Sequence, residues 1–262
     1  MKIEASQNER VCEAVMKYLG CECTLFEPME DDAPIMEAYH HAREEGARAG
    51  FVPLLVKADN VLWECLKMNA CPEHRVRGGL SFDAEAVAEY RRHALSTPLQ
   101  DGRLFLKELA DCRRQWAADA CQDWEKDVLG EMKGGEANNF FIGCWDLFSG
   151  RTFPLILAKI PVKHPWEVFA WLPFGGWNSC PDTPRLMAAA RYWFEQYGAV
   201  PAVVSRDTLE FELAAPAPEE RAMELAVEQY GLCPDLNQGE GGAIGKLADG
   251  LRQSTVWHFW WD

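Results

Sequence analysis

Apolar residues along this chain recur at two periods, and the changes of period mark out its elements. In residues 6–19, Val11, Val15, Met16 and Leu19 return at helical spacing, Ser6 stands where an N-cap would and Gly20 closes the segment, so a helix is predicted. Residues 21–26 read as a strand. An acidic turn over 27–32 leads into a helix over 34–49 that ends at Gly50 and delivers Phe51-Val52-Pro53-Leu54-Leu55-Val56. That unbroken apolar run predicts a buried strand. Helix, strand, helix, strand is the order of an α/β layer.

Residues 61–135 read as mostly helical, with breaks at Cys71-Pro72, Gly78-Gly79 and Pro98, and 101–133 is predicted as one long helix carrying Leu104, Leu106, Leu109, Trp116, Trp124 and Val128. Lys133-Gly134-Gly135-Glu136 then reads as a loop. Beyond it, 153–160 and 167–172 are predicted as strands joined across 161–165. A helix from Asp182 to Tyr197 stops at Gly198, and strands over 200–204 and 208–213 flank the turn Ser205-Arg206-Asp207. A helix over 219–230 ending at Gly231, a shorter one over 243–251 and a final apolar strand over 255–261 complete the reading. The expected fold class is α+β. An α/β and helical region spans residues 1–135, a mixed sheet flanked by helices spans 150–262, and the two are expected to pack as one body.

Composition narrows the function classes. Of 262 residues, 48% are apolar and 11% aromatic, enough for a sizeable core. The net charge of −15 is spread over both halves, 17 basic against 27 acidic residues in 1–150 and 9 against 14 in 151–262. Direct nucleic-acid binding is therefore not expected, since it needs a basic face, whereas a basic protein is a suitable partner. No charged segment followed by an apolar core opens the chain, and no apolar run approaches the ~18 residues of a membrane span. The expectation is a cytoplasmic protein that keeps its ten cysteines reduced and as packing groups, with no membrane contact.

Chemistry-bearing residues concentrate in the last third. Cys180, Cys233, His164 and His258 include the right atoms for zinc, but no Cys-x-x-Cys or His-x-x-x-His spacing pre-forms half a site, and Cys21-x-Cys23 is a poor substitute. No metal or other cofactor is expected. Cys180, just before a predicted helix start, could act as a nucleophile with a histidine and an aspartate; a buried thiol before a helix capped by Asp182 is the plainer account. Gly175-Gly176-Trp177-Asn178 could let a ligand approach backbone N–H groups beside a stacking indole, or simply turn the chain. It is neither a P-loop nor a dinucleotide fingerprint. In the terminal Trp257-His258-Phe259-Trp260-Trp261-Asp262, large aromatics alternate to both faces. A central strand covered by helices is the expected reason, with an exposed Trp260 in a binding groove as the alternative.

Taken in order, Trp171-Leu172-Pro173-Phe174-Gly175-Gly176-Trp177-Asn178-Ser179-Cys180-Pro181, then Tyr197-Gly198-Ala199, Cys233-Pro234-Asp235 and the aromatic terminus resemble the bacterial family known as domain of unknown function 4253, over residues 150–262. The resemblance implies a bacterial cytosolic protein and carries over no catalytic residue. Whether the protein is an enzyme is left open. The favoured expectation is a non-enzymatic binding module, immunity-like in capturing a basic protein. The alternative is a small-molecule hydrolase or transferase, or a ligand sensor, with a cleft near residues 175–178. Candidate ligand or partner residues are Gly175, Gly176, Trp177, Asn178, Asp182, Asp207, Asp235, His258 and Trp260.

Overall fold

The computed structural model describes residues 2–71, 79–237 and 244–262. It is α+β, built on a mixed six-stranded sheet in the order β1-β5-β2-β6-β7-β8, where β1 is Cys23–Phe26, β2 Val52–Val56, β5 Leu155–Ile160, β6 Val200–Val204, β7 Thr208–Glu212 and β8 Val256–Trp260. Strands from both ends of the chain interleave. β5 lies antiparallel between β1 and β2, while β2 pairs in parallel with β6. A two-stranded antiparallel sheet of β3 (Trp145–Asp146) and β4 (Arg151–Thr152) stands apart.

Every residue of β2 is buried, because helices cover both faces of the sheet. Leu54 and Val56 enter a large core with α1 (Lys2–Leu19), α3 (Asn60–Ala70) and α6 (Thr183–Tyr197). Leu55, pointing the other way, enters a smaller core with Ile35, Tyr39 and Ala42 of α2 (Ala33–Ala49) and with Phe141 and Cys144. α4 is Ala84–Ser96, α5 Gly102–Asp119, α7 Glu219–Leu232 and α8 Ile244–Leu251.

Several expectations change. α1 begins at Lys2, before the expected Ser6 cap, since Lys2, Glu4 and Ala5 are themselves good helix formers. Residues 101–133 are not one helix. α5 stops where Cys121 takes φ 57°, and a π-helical turn over Trp124–Leu129 follows, capped by Asp123, whose carboxylate accepts from the Lys126 N–H at 3.1 Å. Residues 167–172 form no strand. Pro165 starts a 3₁₀ helix over Pro165–Ala170, and Glu167 folds back to accept from the backbone N–H groups of Lys163 and His164, both at 2.9 Å.

α7 runs through Gly231 to Leu232. A Cβ on Gly231 would sit 3.1 Å from the Ala110 nitrogen, so this glycine serves the close approach of α5 rather than a helix end. β8 is an edge strand, not a central one. Its aromatics face both ways because Trp257 and Phe259 pack on Trp193 of α6, whereas Trp260 on the opposite face stays 39% exposed. The breaks expected at Pro72 and Gly78, and the helix start at Ala243, lie outside the described residues.

One buried carboxylate makes the helix packing sensitive to pH. Glu228 of α7 accepts from the Tyr192 hydroxyl and the Trp193 indole N–H, each at 3.0 Å, yet burial pushes its pKa above the ordinary 4.5. The folded chain therefore binds this proton more tightly than the unfolded one, and stability falls as pH rises from 4.5 through the raised value. Glu228→Gln keeps an acceptor for Trp193 and offers an N–H to the Tyr192 oxygen. It is expected to raise the melting temperature at neutral pH and to flatten its decline with pH, as followed by thermal denaturation; a steeper decline would contradict this account.

Candidate functional site

In the parallel pair, Leu55 lies beside Val203 and Val56 beside Val204, so the carboxyl ends of β2 and β6 leave the sheet at the same end. Loops at the carboxyl ends of adjacent parallel strands are where open α/β sheets build their sites. The ladder continues one step beyond the strands, where the Lys57 N–H donates to the Val204 carbonyl at 3.0 Å. Asp59 then caps α3, accepting from the Leu62 N–H at 2.8 Å. Arg206, in the turn after β6, places Nε 3.2 Å from Asp207 Oδ2 and 3.8 Å from Asp59 Oδ2, bridging the two loops.

Between these loops and the end of β8 lies a groove of about 350 Å³. It is lined by Val61 and Cys65 of α3, by Arg206 and Asp207, by Trp177, and by Trp260, Trp261 and Asp262. Asp207 is held firmly. Its carboxylate accepts from the Ser205 hydroxyl at 2.9 Å, and its carbonyl accepts from the Trp261 N–H at 3.0 Å, which fixes the end of β8 against the turn. Burial alone would raise the Asp207 pKa, but hydrogen bonds from Ser205 and Arg206 and the nearby positive charges outweigh it and leave the pKa lowered. The groove thus presents a carboxylate that stays ionised beside three indoles. Lys57 is drawn aside over the Phe153 ring, 3.5 Å from its centroid.

The Gly175-Gly176 turn is built by packing. A Cβ on Gly175 would meet the Pro181 carbonyl at 2.0 Å, Gly176 has φ 87°, and the Gly176 N–H is committed to the carbonyls of Cys180 and Pro181, both at 3.1 Å. The Asn69 amide, from α3, ties down the same turn through the carbonyls of Pro173 at 2.6 Å and Gly175 at 3.0 Å. The turn's contribution to the groove is the Trp177 ring, oriented by its N–H donating to the Phe174 carbonyl at 2.9 Å. Asn178 donates to the Asp262 carbonyl at 2.7 Å, and Asp235 accepts from the Asp262 N–H at 3.2 Å.

Trp177, Asn178, Asp207, Asp235 and Trp260, dispersed in sequence, therefore meet at one end of the sheet. Asp182 does not line the groove; it is exposed and caps α6 through the Arg185 N–H at 3.2 Å. His258 is paired across the ladder with Glu210, Nδ1 to Oε1 at 2.8 Å. His164 stacks on Trp166, centroids 4.6 Å apart, in a second groove of about 470 Å³ that also involves Arg191 and Glu195.

The cysteines of the site are unreactive by environment. Burial raises the pKa of the Cys65 and Cys180 thiols and takes that of Cys233 up to about 12. Cys233 is spent as a donor to the Trp260 carbonyl at 3.1 Å. Among the described residues no group of three or more His, Cys, Asp or Glu side chains is arranged to hold a metal ion, and no helix is long and apolar enough to cross a membrane.

Val61, Cys65 and Arg206 are groove residues that sequence reasoning missed. The signal for them was positional, since each follows a strand end whose parallel pairing was not predicted. Compared with known protein families, residues 156–262 match the family described as Domain of unknown function (DUF4253). No curated protein and no solved structure matches the chain.

Proposed function

We propose that this protein, whose residues 156–262 match the DUF4253 family, is a non-enzymatic binding module that seats a cationic group of a basic protein partner in the tryptophan-lined groove. The carrying observation is the meeting of Trp177 and Trp260 with the ionised Asp207 in a space of about 350 Å³. Indole faces attract ammonium and guanidinium groups, and an adjacent carboxylate adds charge-assisted hydrogen bonds. The volume suits one long basic side chain or a small organic cation. Arg206 does not cancel this preference, because its single positive charge is shared between two carboxylates, Asp59 at 3.8 Å and Asp207 at 3.2 Å. The net charge of −15 adds long-range attraction for such a partner.

The placement of His164 in the second groove, the commitment of His258 to Glu210 and the raised thiol pKa values favour binding over hydrolysis or group transfer. All ten cysteines are free, which supports residence in the reducing bacterial cytoplasm. Titration with a lysine- and arginine-rich peptide, read by tryptophan fluorescence, is expected to saturate. Trp260→Ala and Trp177→Ala are each expected to weaken binding by about tenfold, ~1–2 kcal/mol, with the fold unchanged by circular dichroism. Equal binding of a neutral peptide of the same length, or unaltered affinity in both variants, would sink the proposal.

A further inference from the structure

Outside the groove, Cys21 and Cys23 form an unexplained pair. Gly20, with φ 63°, ends α1 and turns the chain so that Cys21 precedes β1 and Cys23 opens it. Their sulfurs lie 3.9 Å apart. β1 is the outer strand of the sheet, and both residues are partly exposed, so the pair can be reached from solvent. Arg91 of α4 is fixed beside them. Its guanidinium donates to the Tyr18 carbonyl at 2.7 Å and the Leu19 carbonyl at 3.3 Å and lies over the Tyr18 and Trp171 rings. The groups that act electrostatically on Arg91 are Tyr18 and Cys21.

We infer that Cys21 and Cys23 are a thiol–disulfide exchange site that takes a low-molecular-weight disulfide as its oxidant, with Cys21 attacking and Cys23 resolving. The sulfur contact with Cys23 and the Arg91 guanidinium, which is held on the Tyr18 and Leu19 carbonyls just before Cys21, favour the thiolate at Cys21. The Cys21 thiolate attacks one sulfur of the small disulfide; that bond breaks and a first small thiol leaves with a proton from solvent. The Cys23 sulfur, losing its proton to solvent, then attacks the Cys21 sulfur of the mixed disulfide and expels the second small thiol. The two cysteines are oxidised by two electrons, and one small disulfide is reduced to two thiols. Near-contact of the sulfurs makes the second step intramolecular. Alternate residues of an extended chain lie about 6.6 Å apart, at the wide end of disulfide geometry, so the oxidised form is easily reduced again.

Trypsin should release residues 18–43 as one peptide whose only cysteines are these two. After the full chain is exposed to limiting oxidised glutathione and remaining thiols are alkylated, this peptide is expected to lose two hydrogen masses and take up no alkyl group. Exposed Cys112 and Cys121 should remain alkylatable. Cys23→Ser should accumulate one glutathionyl group on Cys21, about tenfold faster than Cys112 or Cys121 acquires one, and Cys21→Ser should not trap one on Cys23. The assignment is overturned if the wild-type peptide stays reduced while Cys112 or Cys121 is modified, or if glutathione in Cys23→Ser distributes evenly over the exposed cysteines. The wild-type peptide decides the matter even where a variant folds poorly.

Discussion

Trp193→Ala is expected to be the most damaging single change in this protein, costing about 3–5 kcal/mol of folding free energy and lowering the melting temperature by roughly 10 °C or more. Trp193 is fully buried at the centre of the aromatic cluster that holds α6 on the sheet. Its ring stands edge-on to Phe211 and Trp257, with centroids 5.7 and 5.8 Å away, and stacks on Phe259 at 5.4 Å. Truncation would open a cavity between β7, β8 and the helix. It would also remove one of the two donors that hold the Glu228 carboxylate in a buried position, so a packing loss and a polar loss fall together. Trp193→Phe separates the two, keeping most of the volume while losing the N–H, and is expected to cost only about 1–3 kcal/mol. Denaturant titration measures both, and a Trp193→Ala cost below that of Trp193→Phe would show that the cluster is not packed as described.

Glu210→Ala is expected to follow, with a loss of about 3 kcal/mol. Glu210 is fully buried on β7, where one carboxylate oxygen accepts from His258 Nδ1 at 2.8 Å and the other from the Gly143 N–H at 3.2 Å. It therefore pins the segment before β3 to the sheet and ties the edge strand β8 to β7. Removing it empties a fully buried site and leaves the partly exposed His258 ring and Gly143 N–H without this partner, an outcome worse than never having made the pair. A double-mutant cycle with His258→Ala should recover a coupling energy of about 1–2 kcal/mol. Additive losses would mean that the pair contributes nothing beyond its separate contacts.

The contrast between what could and could not be read from the residues follows from the range of the forces. The ends of α6 were legible because an Asp182 cap and a left-handed Gly198 act within a turn of themselves. The buried run in β2 was legible because covering both faces of a strand requires apolar residues at every position. The break after α5 was not, since its left-handed residue is Cys121 rather than glycine, and only Asp123 hinted at a new helical start. Nor was the edge position of β8. Apolar side chains on both faces say that both are covered but not by what, and here one cover is a helix and the other a loop held by Glu210.

The groove was half legible for the same reason. Trp177, Asp207 and Trp260 were singled out as chemistry-bearing residues near turns. Arg206 and Val61 matter only because β2 and β6, separated by most of the chain, run side by side, and no local pattern reports such a pairing.

The sheet order also governs how this chain can be divided. The stretch that matches the DUF4253 family opens inside β5, yet within the sheet β5 is separated from β6 by β2, a strand from the distant N-terminal stretch. Residues 156–262 by themselves would hold β5 and β6 with a vacant slot between them, two strand spacings or about 9.6 Å wide, bordered on both sides by unpaired backbone donors and acceptors. During synthesis β1 and β2 must likewise wait, unpaired with each other, until β5 emerges some hundred residues later. The two pieces are thus complementary halves of one hydrogen-bonded ladder, suited to reconstitution from separate fragments and prone, when apart, to recruit a foreign strand into the vacancy.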